Sequence, residues 1–195
     1  MFVDANVLYS VTLRNWLFML RNETVGMFQL HTTEDVMAEA FYRLRRDKPD
    51  LPGGVISDLR DKLEKNLDEI LRDFDTTVPY GGTDPNDLHV HAAAIAGGAH
   101  ILLTQDQGFA SSEETQYEVF NCDDFFLLLD DSSPRSVQRV THAQRAYWAG
   151  KPGSAPKKTL VQALMDAGCP QFAYRVNEHL RTLSGPIPGD RRRGH

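Results

Sequence analysis

Two short apolar runs, each followed by an aspartate, limit what this chain can fold into more than any other feature. Phe2-Val3 leads into Asp4, and Ile101-Leu102-Leu103 leads through Thr104 and Gln105 into Asp106. The second run is apolar without alternation, the pattern of a strand buried on both faces. Strands of that kind belong to parallel sheets, whose crossovers are helices. Between the runs the period changes: Leu13, Trp16, Leu17 and Leu20 recur at helical spacing, as do Val36, Ala40, Phe41 and Leu44. The alternation predicts an α/β fold with a parallel central sheet and right-handed crossovers.

The elements can be placed along the chain. The first strand is expected to end near Asp4 to Asn6, and a helix follows over 12–21. Thr32-Thr33-Glu34-Asp35 supplies hydroxyl caps and an acidic first turn to a second helix, which carries Glu39 and stops at Pro49 and Pro52-Gly53-Gly54. Leu59, Leu63, Leu67, Ile70, Leu71 and Phe74 form one stripe, so a single long amphipathic helix is predicted over 57–74. A turn-rich passage from Pro79 to Asn86 delivers Asp87 to the first turn of a helix over 88–96, ended by Gly97-Gly98. A strand over 117–121 and a helix over 123–130 come next.

Past Asp131-Ser132-Ser133-Pro134 the β pattern disappears. Helices are expected over 136–149, 159–167 and 171–183, with a Pro- and Gly-bearing linker over 151–156. The division is therefore an α/β domain at 1–133, a helical extension at 134–184 and a frayed tail at 185–195.

Composition excludes several classes. A net charge of −6 is not that of a protein that coats nucleic acid by bulk electrostatics. No apolar stretch approaches the roughly 20 residues a membrane helix needs, and Met1-Phe2-Val3-Asp4 carries no basic leader, so a cytoplasmic protein without a membrane segment is expected. Cys122 and Cys169 are too far apart in sequence for a Cys-x-x-Cys motif and read as buried thiols.

Among 27 Asp and Glu residues, position has to separate ligands from surface charge. Asp4 and Asp106 follow strands that can be neighbours, and Asp87 starts the helix just before the strand of Asp106. All three can converge on the carboxyl edge of the sheet, where open α/β folds bind ligands. Glu39 joins them if its helix lies beside that edge. Taken singly, each acid is more readily a helix cap than a ligand. Together they repel one another, raising at least one pKa, unless a cation is present. Hard ions such as Mg²⁺ and Mn²⁺ accept carboxylate oxygens, polarise phosphoryl groups and acidify water.

The segments carrying these acids resemble those of PIN domains. Phe2-Val3-Asp4-Ala5-Asn6-Val7-Leu8 is similar to the family's opening, Met37-Ala38-Glu39 to its helical glutamate, and Asp84-Pro85-Asn86-Asp87-Leu88-His89-Val90-His91-Ala92-Ala93-Ala94 to its third-acid helix. Ile101 to Phe109, with Thr104-Gln105-Asp106-Gln107-Gly108, resembles the fourth-acid strand and turn. The similarity runs over about 1–130. It implies a three-layer α/β/α fold and Mg²⁺- or Mn²⁺-dependent endoribonuclease activity, with Asp4, Glu39, Asp87 and Asp106 as catalytic metal-site residues. It further implies Asn6 and Thr104 as polar supports and Asp84 as a fifth acid. A VapC-like toxin is also implied, one that forms homodimers and is held by a small DNA-binding antitoxin. Two departures stand out: Gln107 follows Asp106 where some relatives carry an acid or Asn, and the helical extension exceeds that of minimal PIN toxins.

Other candidates have plainer alternatives. His89 and His91 are two apart on a helix and point in different directions, which suits packing or capping better than metal binding. Arg43, Arg45, Arg46 and Lys48 follow Glu39, and Arg43 and Arg46 are candidates for RNA phosphates, though a solvated face explains them equally well. Trp16 and Phe18 fit the core better than base stacking. Phe125, Phe126 and Leu127 to Leu129 are apolar enough to cover the core or a dimer contact. Lys157, Lys158 and Arg191 to Arg193 could bind a partner. A haloacid-dehalogenase-type phosphohydrolase would need an acid at position 6, where Asn6 stands. A PIN scaffold without catalysis, serving as a binding module, is the rival from another class.

Overall fold

The computed structural model describes residues 1–82, 84–109, 116–150 and 158–182. Strands β1 (Phe2–Val3), β2 (His31–Thr33), β3 (Glu69–Leu71), β4 (Ile101–Leu103) and β5 (Glu118–Phe120) pair in parallel in the order β3-β2-β1-β4-β5. Phe2 lies opposite Leu102 and Val3 opposite Leu103. Strand order reverses between β1 and β4, the position at which the loops leaving neighbouring strands diverge and open a crevice. Asp4 and Asp106 leave the sheet there.

Helices α1 (Ala5–Tyr9), α2 (Val11–Glu23), α3 (Glu34–Asp47), α4 (Gly53–Asn66), α5 (Leu88–Ala96), α6 (Cys122–Ser132), α7 (Pro134–Gly150), α8 (Leu160–Asp166) and α9 (Pro170–Thr182) flank the sheet in an α/β/α arrangement with the last three as added C-terminal helices. The expected fold class is what is found. Phe2, Val3, Leu102 and Leu103 are fully buried, as parallel strands covered on both faces must be.

Three boundaries differ from expectation, each for a local reason. The chain turns helical directly after Asp4: its carboxylate accepts from the Ala5 N–H at 2.5 Å and starts α1, a single turn and a half with no room for a periodic pattern. Buried Arg14 closes that helix by donating to the carbonyls of Leu8 (2.5 Å) and Tyr9 (3.1 Å).

Helix α4 ends at Asn66 rather than running to position 74, and Glu69 to Leu71 form β3. Asp68 decides this break, because its backbone N–H donates to the Leu30 carbonyl (2.9 Å) while its side chain accepts from the Leu30 N–H (2.9 Å) and pairs with Arg21. A short run such as Ile70-Leu71 satisfies helix and strand periods alike, so the stripe alone could not separate them. Thr32 and Thr33, read as caps, are also strand residues, and Thr33 does both: it ends β2 and accepts from the Val36 N–H at 3.2 Å.

The C-terminal helices share the central core. Phe172 of α9 meets Trp16 of α2 edge-on at 5.0 Å and Phe126 of α6 at 5.1 Å. Phe125 and Phe126 are buried as expected of them, whereas Leu128 of the same helix is exposed. The expected linker over 151–156, Lys157, and the tail with Arg191 to Arg193 lie outside the described residues.

One buried carboxylate fixes how α9 enters. Asp123, 6% exposed, accepts from the N–H groups of Phe172 (2.7 Å) and Gln171 (3.1 Å), two donors that the first turn of a helix leaves unpaired. Pro170 needs no partner because it has no N–H. Asp123→Ala is expected to lower the free energy of unfolding by about 2 kcal/mol, since a cap and two buried donors are lost at once. Urea denaturation checks this, and a loss within error of zero would show that α9 docks through its apolar face alone.

Candidate active site

The carboxyl edge of β1 and β4 opens into a pocket of about 700 Å³ lined by Asp4, Asn6, Glu39, Arg43, Asp84, Asp87 and Asp106, among others. The four acids expected to converge do so, and Asp84 joins them. Thr104 lies buried beneath the rim rather than on it.

Asp4 is the most constrained of the acids. Its Oδ2 accepts from Asn6 Nδ2 at 2.6 Å and from the Thr104 hydroxyl at 2.7 Å, and its Oδ1 from the Ala5 N–H. Asn6 also donates to Thr104 Oγ1 (2.9 Å), and its Oδ1 accepts from the Gln105 N–H (3.0 Å). Thr104 Oγ1 in turn accepts from the Asp106 N–H (3.0 Å). A closed ring of hydrogen bonds therefore sets Asp4 and the turn of Asp106 in one rigid frame. Burial pushes the Asp4 pKa up, with the charge of Glu39 adding to it, while Thr104, Ala5 and Arg43 pull it down.

The other acids are held more loosely. Asp106 accepts from the Gly108 N–H at 2.7 Å, a local turn that leaves its second oxygen free of described hydrogen bonds. Glu39, on α3, pairs with Arg43 one turn later at 2.6 Å. Asp84 caps the turn before α5 by accepting from the Asn86 N–H (2.9 Å). Asp87 caps nothing with its side chain. For that residue the bland alternative of a helix cap fails.

Among the described residues Asp87 has one weak partner, the Tyr80 hydroxyl at 3.4 Å. Its pKa is pushed up to about 6, first by burial and then by the charges of Asp106, Asp84 and Asp4. Tyr80 and Tyr117 were not singled out by sequence, yet Tyr80 touches this acid and Tyr117 feels its charge. Burial and then Asp87 raise the pKa of each, that of Tyr117 to about 12. His91, buried, holds Tyr117 in place: its Nε2 lies 3.0 Å from the Pro79 carbonyl and so donates, and its Nδ1 is hydrogen-bonded to the Tyr117 hydroxyl at 2.7 Å. His91 thus serves packing, and His89 is anchored 2.7 Å from the Asn86 carbonyl at the pocket wall. The aromatic side of the site depends on side chains distant in sequence, and only the Pro79-Tyr80 turn could have hinted at it.

Of the candidate RNA contacts, Arg43 lines the pocket and Arg46 does not; Arg46 pairs with Asp47 at 3.1 Å on the surface. Arg45 is tied to the carbonyls of Pro49 and Leu51. Trp16 and Phe18 are buried, which excludes base stacking on them.

With this geometry in place, comparison with known families gives one match: the PIN domain model covers residues 1–108. The chain belongs to the PIN domain family. PIN domains are generally nucleases that use divalent metal ions. No curated protein and no solved structure matches the chain. The match ends two residues past Asp106, so it contains every acid of the pocket and none of the C-terminal helices.

The donor chemistry of this PIN domain suits a hard cation. Its pocket presents carboxylate oxygens from several sides, and Arg43 is the one guanidinium or ammonium group among the described lining residues. Among the described residues, no three acidic, histidine or cysteine side chains are gathered closely enough to hold an ion directly. Mg²⁺ makes a smaller demand, commonly one or two carboxylates with several retained waters. The spread of acids round an open pocket is compatible with that demand.

The raised pKa of Asp87 has a consequence for stability. The folded state binds this proton more tightly than the unfolded state, in which the value is near 3.8. The stabilisation is therefore complete below that value and is lost as the pH rises through about 6, and Asp4 contributes in the same direction. Without divalent ions, Asp87→Asn should melt about 2 °C higher than the native chain at neutral pH, a modest gain because solvent in the pocket screens the repulsion. Thermal melting in chelator across this range checks the sign. A native midpoint that rises between about pH 4 and pH 6, or a variant no more stable at pH 7, contradicts it.

Proposed function

We propose that this PIN domain is a divalent-metal-dependent endoribonuclease that hydrolyses RNA phosphodiesters with Mg²⁺ or Mn²⁺. One observation carries the proposal: Asp4, Glu39, Asp87 and Asp106 surround a single pocket at the point where strand order reverses, in a chain of a nuclease family. Mutually repelling carboxylates are costly to gather without a cation or a reaction to serve.

The roles follow from the surroundings of each side chain. Asp4 and the turn of Asp106, joined by the ring through Asn6 and Thr104, are the frame to which an ion would be held, with Glu39 and Asp87 within reach of its retained waters. When bound, the ion supplies Lewis acidity toward a phosphoryl oxygen and toward water. Arg43, partly neutralised by Glu39, is placed to meet a substrate phosphate at the rim. Asp87, with its raised pKa and the Tyr80 hydroxyl beside it, can exchange a proton with water near neutral pH.

Within this proposal the chain is the toxin of a VapBC-type pair, a cytoplasmic homodimer restrained by a small DNA-binding antitoxin. The resemblance of its acid-bearing segments to VapC-like toxins supports this. Growth arrest on expression in a bacterial host, abolished by Asp4→Asn, checks the toxin role separately from the chemistry.

The chemistry is tested by incubating the full chain with single-stranded RNA. Cleavage is expected with Mg²⁺ or Mn²⁺, none in chelator, and none for Asp4→Asn or Asp106→Asn. Thr104→Val should lose about tenfold or more, as supporting partners of ligands typically cost when removed. Equal cleavage by the native chain and both Asn variants rejects the site. Absence of cleavage with every ion favours a PIN scaffold that acts as a protein- or RNA-binding module.

A further inference from the structure

A second cleft of about 560 Å³ adjoins the acid pocket and shares Asp106 with it. One wall is the turn after β4, with Gln107 and Phe109; the other comes from the C-terminal helices, with Gly168 and Gln171. We propose that this cleft receives the nucleobase next to the scissile phosphate, with Gln107 and Gln171 reading its edge, a role that rests on the ribonuclease activity proposed above.

The chemistry of the lining points to a neutral, polar, flat ligand. Among the described residues no lysine or arginine lines the cleft, so none of them offers a cation to a phosphate. Of the described acids, Asp123 caps α9 and Asp124 accepts from Asn121 Nδ2 at 2.7 Å, while Asp106 is shared with the acid pocket. The other polar side chains are amides and the buried Thr104. Side-chain amides offer a donor and an acceptor together, the combination that matches a base edge, and unpaired bases of single-stranded RNA expose such edges.

The four amides divide into two pairs. Gln105 is engaged at both ends, since its Nε2 donates to the Ala167 carbonyl at 3.1 Å and its Oε1 accepts from the Cys122 N–H at 2.9 Å. Asn121 is likewise occupied as the cap of α6, accepting from the Asp124 N–H at 2.8 Å. These two build the wall. Gln107 and Gln171 are exposed, and their side chains make no hydrogen bond among the described residues. Only the backbone N–H of Gln171 is engaged, by Asp123.

The wall is rigid because the seam is close. Gly168 adopts a φ of +80°, the left-handed conformation that favours glycine, beside the Gln105 Nε2 that holds the Ala167 carbonyl. A base seated between Gln107 and Gln171 lies one side of Asp106, while Asp4, Glu39 and Asp87 lie on the other. The C-terminal helices thereby become the part of the protein that chooses where RNA is cut.

The test is cleavage of an oligoribonucleotide pool randomised around one position, with Mn²⁺, by the native chain, Gln107→Ala and Gln171→Ala, each confirmed as folded by melting. The native chain is expected to prefer particular bases beside the cut. Each alanine should lower the ratio of kcat/KM between preferred and other bases by about tenfold, the scale of one lost bidentate base contact. Cleavage without base preference by the native chain, or the same preference in all three proteins, overturns the subsite. If the native chain cuts no RNA, the nuclease proposal falls, and equilibrium binding of short oligo-A, oligo-C, oligo-G and oligo-U decides the cleft by itself. Base discrimination that the alanine variants lose supports it; equal binding of all four by the native chain, or discrimination unchanged in the variants, rejects it.

Discussion

The pairing of β1 with β4 is the constraint on which the rest depends. These strands come from opposite ends of the PIN domain, and the Asp4 N–H continues their ladder by donating to the Leu103 carbonyl at 3.1 Å. Once they are neighbours, Asn6 and Thr104, 98 positions apart in sequence, come within a hydrogen bond of each other. The ring through Asp4, Asn6, Thr104 and the backbone of Asp106 can close only then. A slip of register by one residue would turn the apolar side chains of β1 and β4 to the opposite faces and open that ring. Core packing and site geometry are therefore specified by the same contact.

That frame holds like charges together. Asp4 is stabilised by three donors although burial opposes its ionisation. Asp87 has one weak donor among the described residues, and burial and then its acidic neighbours raise its pKa to about 6. The two acids thus respond differently to the same crowding: one is fixed and satisfied, the other free to change its proton. A site that gathers carboxylates in this way opposes its own folding at neutral pH, and a bound cation would reverse the sign of that contribution. Unsatisfied charge of this kind is more readily explained by a ligand than by architecture.

How far the sequence discloses this arrangement depends on whether a residue's position follows from its own segment. Asp4, Asp87 and Asp106 were legible because each sits at the end of a strand or the start of a helix, and the order of elements places those ends on one edge. Glu39 needed its helix to lie beside that edge, which no local pattern states. β3 was illegible because Ile70 and Leu71 extend the stripe of α4, and the residue that breaks the helix, Asp68, does so through Leu30, far away in the chain. α1 is too short for any period to register. Tyr80, His91 and Tyr117 meet only in three dimensions, and their link to Asp87 leaves no trace in spacing.

The C-terminal helices extend the same logic beyond the family's own boundary. Asp123 belongs to α6 yet satisfies the first turn of α9, and Gln105 belongs to the turn carrying Asp106 yet holds the Ala167 carbonyl. At the far end of α9, His179 meets buried Asp130 of α6 at 2.7 Å. These bonds run across the seam at both ends of one helix, and Phe172 fills the space between them against Trp16 and Phe126. An extension joined at this many buried points cannot shift without disturbing the turn that presents Asp106. Its helices are mechanically part of the acid edge, which is why a wall that they contribute can be held at a fixed distance from the carboxylates.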